Sequence, residues 1–475
     1  MKKKVGLCHG VFDVVHYGHI LHFELAKSKV DKLIVSVTND KFVNKGSGRP
    51  IFNTKQRINY LQNIKSIDEV IHSESNSAID SLKKIKPDIF FKGEEYSGKN
   101  KITLNLFEKE KKFCAKSKIK IFYTNEKTFS SSKIINFYNK YDDVVLKKIN
   151  TIKKKYNFLD IVKIFNDACS KKITIIGDPI IDSYTFCESV GTASKSPTLA
   201  LLKNYSEEYL GGSLAVAKMF ENLSCKAELI SYIPQKKYEI LKDIKNLKTK
   251  ILFKSKKYPV IHRIVDRPRS VKLMQIYNEK KIDFSLADQE KVIQQLRKAN
   301  KSLLIIIDFG FGLMSEKVID YLNMSKIKQY LNCHINSLNL TTNYYEKYKN
   351  FSYITFNKRE FELSFKGEEN FNQKIFKAKK IIRKDFAVTV GSNGSYQINK
   401  KKVNYFPSIY KEIVDPIGCG DAFFVMTSLI KNVSKDQNLI NFMGNLYAGM
   451  HAMHEGNKKF TDKTTFLNTM KSILS

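Results

Sequence analysis

Arginine is nearly missing from a chain that carries a formal charge of +35: of 82 lysine and arginine residues among 475, eight are arginine. A nucleic-acid surface gathers its basic residues on one face or stripe. Here the lysines are spread among abundant Asn and Ile, so the charge reads as solvated faces. Paired cysteines are missing too. Cys8, Cys114, Cys169, Cys187, Cys225, Cys333 and Cys419 show no CxxC and no metal-ligand spacing, which excludes a disulfide framework or zinc module and favours reduced thiols. No apolar run approaches the roughly 20 residues of a membrane helix. His9, Asp13 and His16 interrupt any apolar stretch behind the Met-Lys-Lys-Lys start, so a signal peptide is not expected. No short internal repeat points to a solenoid. The expectation is a cytoplasmic protein with neither membrane nor nucleic acid among its partners.

What is present is enough for packed domains. The hydrophobic content is 42%, and the length exceeds what one core usually holds, which predicts two or three domains. From residue 1 to about 135, strand-like apolar runs at 32–37, 88–92 and 119–123 alternate with helical patterns, the signature of parallel α/β packing. A charged stretch at 141–156 containing KKINTIKKKY reads as a linker or an exposed helix. A second α/β series begins with ITIIGD at 173 and continues through runs at 303–308, 353–356 and 387–390. The expected organisation is a domain at 1–140, a linker at 141–157 and a domain at 158–475.

Each half carries one phosphate-handling pattern. GVFDVVHYGH (10–19) places His16 and His19 three residues apart where an apolar strand runs into a helix. Attack on an α-phosphate accumulates negative charge on its oxygens and on the leaving pyrophosphate. Donors fixed at a strand-to-helix turn meet that charge without reorganising, and Gly18 lets backbone come close. Taken alone, the histidine pair reads more readily as a metal half-site or as ordinary surface histidines. Its context is more specific: VTNDKFVNKGSGRPIF (37–52), FFKGEEY (90–96) and FSSSKII (129–135) follow in order. Together these segments resemble the nucleotidyltransferase superfamily of cytidylyltransferases and heptose-activating adenylyltransferases. The resemblance implies a Rossmann-like fold, catalytic roles for His16 and His19, and nucleotide contacts from Gly10, Phe12, Lys45, Lys92, Ser130, Ser131 and Ser132. The serines also suit a helix N-cap, and Lys45 or Lys92 also suits a solvated surface.

DPIGCGDAFF (415–424) sets Gly418, Cys419 and Gly420 before Asp421 and an apolar helical run, so spare backbone N–H groups and a carboxylate share one helix start. Phosphoryl transfer to a hydroxyl needs such donors, a base and magnesium. The segment resembles the GAGD motif of the ribokinase (PfkB) sugar-kinase family, with Cys419 in place of a small Ala and Pro416 in place of a commoner Thr. NKRE (357–360), VTVGSNG (388–394), IIGDPIIDSY (175–184) and the diglycine at 211–212 fall in that family's order. The resemblance implies a ribokinase-like α/β domain with Asp421 as base and an anion hole at Gly418, Cys419 and Gly420. It further implies ATP contacts from Gly391, Gly394 and Asn445, magnesium held through water by Asn357 and Glu360, and sugar contacts from Asp182, Gly211 and Gly212. Arg263, with Arg267 and Arg269, suits either a lid over an anionic sugar phosphate or a plain basic edge strand. Two departures stand out. Phe311 in IDFGFGL and the INSLNL segment (335–340) replace residues common in heptose kinases, so the acceptor sugar is expected to differ.

The whole chain resembles the bifunctional heptose kinase and adenylyltransferase of lipopolysaccharide precursor synthesis, with its domains in reversed order. That implies a transferase using Mg2+ and ATP at one site and a second NTP, ATP or CTP, at the other. A sugar phosphate and nucleoside triphosphates are its expected partners, and a homodimer is left open. The alternatives are an alditol-phosphate cytidylyltransferase fused to a kinase of other specificity, or one catalytically silent domain.

Overall fold

The computed structural model describes residues 3–43, 50–93, 104–124, 141–234, 248–299, 302–410 and 412–474. The chain divides into two units, Met1–Tyr141 with Thr464–Ser475, and Asp142–Lys463. Both are α/β.

Among the described residues of the first unit, five strands form one all-parallel sheet. They are β1 (Val5–Gly10), β2 (Lys32–Thr38), β3 (Glu69–Ser73), β4 (Ile89–Gly93) and β5 (Lys120–Thr124), in the order β3-β2-β1-β4-β5. Parallel neighbours need crossovers, which the helices Tyr17–Lys27, Thr54–Gln62, Ile79–Ile85 and Leu104–Lys116 supply. Alternate residues of a strand face opposite sides, so β1 sends Leu7 into one core with Ile34 and Phe90, and Cys8 into another with Val35 and Phe91. The connections run outward in both directions from β1 and β4. The resulting crevice at the strands' carboxyl ends is where ligands bind in open sheets of this kind, and the segment 10–19 leaves β1 at that edge.

One side chain fastens this edge. Arg57, wholly buried, donates to the carbonyls of Phe52 (2.9 Å), Val11 (2.6 Å) and Thr38 (2.9 Å), and to Asp40 Oδ1 (2.6 Å). It thus ties the turns that follow β1 and β2 to the start of its own helix. Asp13 adds a second tie, its Oδ1 accepting the N–H groups of Ile51 (2.8 Å) and Phe52 (3.0 Å).

The second unit holds β6 (Ile173–Gly177), β7 (Pro179–Thr192), β8 (Leu199–Gly211), β9 (Ala227–Pro234), β10 (Lys248–Ser255), β11 (Val260–Asp266) and β12 (Val271–Tyr277). These are followed by β13 (Leu303–Asp308), β14 (Gln329–Cys333), β15 (Tyr353–Asn357), β16 (Asp385–Thr389), β17 (Ser395–Ile398) and β18 (Val403–Phe406). Nine of the described strands pair as β10-β9-β6-β13-β14-β15-β16-β17-β18, parallel as far as β16 and antiparallel after it. β13 is fully buried, as a strand covered on both faces must be. A smaller sheet, β12-β11-β7-β8, is built mainly from long antiparallel strands. The basic segment around Arg263 lies on β11, between β12 and β7, so it is not an edge strand; the following strand takes that place.

The stretch expected as a linker or exposed helix is a helix, Asp143–Lys155, with Val145, Ile149 and Ile152 buried along one stripe. Lys155 Nζ (2.5 Å) and Tyr156 Oη (3.0 Å) both donate to Asp436 Oδ2. These bonds place the stretch within the second unit's packing.

Because Arg57 satisfies several loop acceptors at once, Arg57→Ala leaves buried carbonyls without donors. The expected cost to the first unit is about 3 kcal/mol, read as an earlier denaturant midpoint. Arg57→Lys should recover less than half of it, since one ammonium cannot span the same acceptors.

Candidate active sites

In the first unit the turn after β1 turns sharply through Phe12, whose φ is +49°. His16 then caps the helix Tyr17–Lys27 and His19 stands three residues in. The His16 N–H donates to His19 Nδ1 at 3.4 Å, and the two rings stack with centroids 3.9 Å apart. With Nδ1 accepting, a neutral His19 carries its proton on Nε2 and can donate from that atom. Phe12 packs edge-on against His19 at 5.5 Å and so braces that ring. A side chain at Gly10 would meet the Phe12 ring at 3.0 Å.

Lys92, next to last in β4, is buried and paired with Glu110 at 3.1 Å. Glu110 also accepts from Ser77 Oγ (3.1 Å) and the Ala78 N–H (2.7 Å). Two partly buried histidines stand near this ammonium. His9 Nδ1 is 3.2 Å from Ser36 Oγ, and His22 Nδ1 is 2.7 Å from Thr124 Oγ1. Burial first, and the Lys92 charge second, push both down to about 4, so both are neutral at pH 7. Lys45 and Ser130, Ser131 and Ser132 lie outside the described residues.

In the second unit the helix Cys419–Val433 starts with Gly418 at φ +78°. A Cβ there would strike Asn457 Oδ1 at 2.5 Å and His451 Nε2 at 2.6 Å, so only glycine fits. Nothing lies within 4 Å of a Cβ built on Gly420, which leaves room against its backbone. Cys419 Sγ turns back to the Asp415 carbonyl (3.6 Å), and burial pushes its thiol up to about 12. Asp421, one turn in and buried, accepts on Oδ1 from Asn332 Nδ2 and is met there by His334 Nε2, both at 3.0 Å.

The other ring nitrogen, His334 Nδ1, lies 3.2 Å from Glu360 Oε1. Burial would lower the ring, but the carboxylates of Asp421 and Glu360 outweigh it and raise it to about 10. Asn357 and Glu360 form a reciprocal cap, Asn357 N–H to Glu360 Oε2 and Glu360 N–H to Asn357 Oδ1, each 2.8 Å. Glu360 Oε1 is met by both His334 Nδ1 and the Ile335 N–H (3.4 Å), while Oε2 takes the Asn357 N–H and keeps one lone pair. That suits a hydrated cation held through water and does not suit direct ligation.

The remaining sequence-derived residues divide into those the fold brings to this edge and those it commits elsewhere. Asp182 is buried, paired with Arg263 NH1 and with Asn457 Nδ2 (3.3 Å), and burial holds its carboxyl above the usual range. Gly211 lies against it: a Cβ would meet Asp182 Oδ2 at 2.7 Å. Gly212, at φ +54°, has the Asp178 carbonyl 2.5 Å from the place of its missing Cβ. Arg267 and Arg269 pair with Glu455 (3.2 Å) and Asp266 (2.6 Å). Gly391 has open space beside it, whereas Gly394 (φ +98°) is pressed against the Phe406 carbonyl. Asn445 spends its amide on Ser395 Oγ (2.7 Å) and the Asn441 carbonyl (2.8 Å).

Phe311 is buried with Ile180 and Ile261. Its N–H (3.1 Å) and that of Leu313 (3.1 Å) donate to Asp178, which burial and then the Asp308 charge push up to about 7. Sequence reasoning missed Asn332, His334, Arg57 and the ion pair of Lys272 with Asp415 (2.6 Å) that ties β12 to the 415–421 turn. A lone histidine after β14 belongs to no motif, so spacing gave no signal for it.

Comparison with known proteins agrees with this division. Residues 7–137 match the cytidylyltransferase-like family model, and residues 314–438 match the pfkB family carbohydrate kinase model. The chain thus carries a cytidylyltransferase-like domain ahead of a carbohydrate kinase domain, both of transferase type. The bifunctional protein HldE of Sulfurimonas denitrificans is 37% identical over 102 residues, 21% of each chain. That of Pseudomonas putida is 36% identical over 97 residues, 20% of each. Both matches fall on the N-terminal domain, so the likeness spans about a fifth of those relatives' length. The crystal structure of phosphofructokinase-2 from Escherichia coli in complex with substrates and products superposes with a TM-score of 0.51 at 14% identity. It covers 64% of this chain and 99% of that one, and it shows a shared ribokinase-type fold.

A histidine that the fold keeps neutral destabilises in acid. His9 and His22 bind a proton only near pH 4 when folded but near 6.5 when unfolded. The unfolded chain therefore takes up protons that the folded one refuses, and stability falls as pH drops from 6.5 towards 4. Thermal unfolding of the first unit between pH 7 and 4.5 should show this fall, and His22→Gln should flatten it.

Proposed function

We propose that the chain is a bifunctional enzyme in which the second unit phosphorylates a sugar phosphate and the first converts the resulting sugar 1-phosphate to an NDP-sugar of the ADP-heptose type for surface polysaccharide. The observation that carries this reading is the convergence of Asp421, Asn332, His334 and Glu360 at one helix start in one unit, with a stacked His16/His19 pair at a separate helix start in the other.

In the kinase step Asp421 takes the proton of the acceptor hydroxyl as its oxygen attacks the γ-phosphorus of ATP. The N–H groups after Gly418 meet the charge that develops on the phosphoryl oxygens. Magnesium, when bound, neutralises the triphosphate, and Asn357 and Glu360 would hold it through water. Asp182, fixed by Arg263 and Asn457, faces acceptor hydroxyls beside Gly211. In the transferase step a sugar-phosphate oxygen attacks the α-phosphorus of ATP or CTP and pyrophosphate leaves. His16 and His19 donate to the oxygens that gain charge.

The kinase acts first, because the transferase needs a phosphate nucleophile that the kinase makes from a hydroxyl. A phosphatase-class reaction between them removes the distal phosphate. A second reading rests on Phe311: its buried side chain contributes no cation beside the acceptor. This favours an alditol phosphate or another sugar as the metabolite, with CTP as the transferase nucleotide.

Product mass after incubation with ATP, CTP and a panel of sugar and alditol phosphates tests both readings. Asp421→Asn should keep ATP binding and lower phosphoryl transfer by about 10² or more, leaving pyrophosphate release unchanged. His16→Ala or His19→Ala should do the reverse, lowering pyrophosphate release by about 10² or more. Pyrophosphate release at the wild-type rate in both histidine variants would remove them from the transferase site.

A further inference from the structure

We propose that His334 is a positioning residue for phosphoryl transfer, holding Asp421 by one carboxylate oxygen so that the other faces the acceptor hydroxyl. The proposal rests on the kinase reading of the second unit. Among the described residues, the bonds to the Asp421 side chain fall on Oδ1, from Asn332 Nδ2 and from His334 Nε2, each at 3.0 Å. Oδ2 is then the oxygen that receives the proton. In that step the acceptor O–H bond breaks and its proton passes to Oδ2. The acceptor oxygen forms a bond to the γ-phosphorus of a nucleoside triphosphate, and the bond from that phosphorus to the β,γ-bridging oxygen breaks. The nucleoside diphosphate leaves with that electron pair.

The imidazole is itself held on every side. Its second nitrogen lies 3.2 Å from Glu360 Oε1, and Glu360 is locked at the start of its helix by the reciprocal cap with Asn357. The ring lies flat against Phe309, with centroids 4.0 Å apart and planes 11° apart. Its backbone N–H donates to the Asp308 carbonyl (2.8 Å), and its carbonyl accepts from Asn343 Nδ2 (2.9 Å). A ring clamped this way transmits the position of β14 to the Asp421 carboxylate. A carboxylate at the end of a side chain otherwise rotates freely about its last bond. Misplacement of a reacting group by about 1 Å costs on the order of 10² in rate. Removing His334 is therefore expected to act on the chemical step and to spare binding.

The test measures phosphoryl transfer by His334→Ala and His334→Gln in the intact chain, with the acceptor that the wild type uses. His334→Ala should lower kcat roughly 10- to 100-fold with KM for both substrates nearly unchanged. His334→Gln, whose amide can still donate to Asp421, should regain most of the loss. Adding His334→Ala to Asp421→Asn should cost nothing further, because a residue that acts through Asp421 has nothing left to position. Equal impairment of the Ala and Gln variants, an additive double variant or a wild-type kcat in His334→Ala would each overturn the proposal, while an impaired Asp421→Asn would leave the kinase reading standing. If His334→Ala fails to fold, the Gln variant and its double with Asp421→Asn decide alone. A wild-type chain that phosphorylates no member of the panel overturns both.

Discussion

Parallel strands all finish at the same edge of their sheet, and each must then pass the chain to a helix whose first turn has unpaired N–H groups. Both candidate sites follow from that constraint. In the first unit it brings the turn after β1, with His16 and His19, beside the ends of β2 and β4. In the second it brings the ends of β13, β14 and β15 to the helix that begins at Cys419. Groups from distant parts of the chain, Asp308, Asn332, His334, Asn357 and Asp421, thereby become neighbours without any loop having to reach far.

Gathering polar groups at a buried edge carries a desolvation cost, and the structure offsets it by giving each carboxylate donors. Asp13 takes two backbone N–H groups, Asp178 takes those of Phe311 and Leu313, Asp182 takes Arg263, and Asp421 takes Asn332 and His334. Arg57 does the complementary work with carbonyls. The same bonds that remove the cost also fix the turns in place. Stability and site geometry in this protein are two results of one set of hydrogen bonds.

The two halves differ in how closely they follow their relatives. The N-terminal domain is 37% identical to part of the HldE protein of Sulfurimonas denitrificans, while the second unit shares its fold with phosphofructokinase-2 of Escherichia coli at 14% identity. Within that unit Phe311 packs with Ile180 and Ile261, and His334 joins Asp421 to Glu360.

Local sequence determined a good deal. Apolar runs at 32–37 and 303–308 read as buried strands, and β2 and β13 are largely or wholly buried strands. Asp421 behind three small residues and ahead of an apolar helical run read as a residue of a helix's first turn, and it stands there. The reciprocal cap of Asn357 and Glu360 was equally legible, since both partners lie within four residues. What the sequence could not decide were pairings between residues far apart in the chain. Arg263 meets Asp182 across 81 positions and becomes a buried partner, where its basic neighbours suggested a lid. His334 meets Asp421 across 87 positions and belongs to no spacing pattern. Helix caps and strand patterns are set by neighbours along the backbone, whereas a buried ion pair exists only once the sheet order has brought two strand ends together.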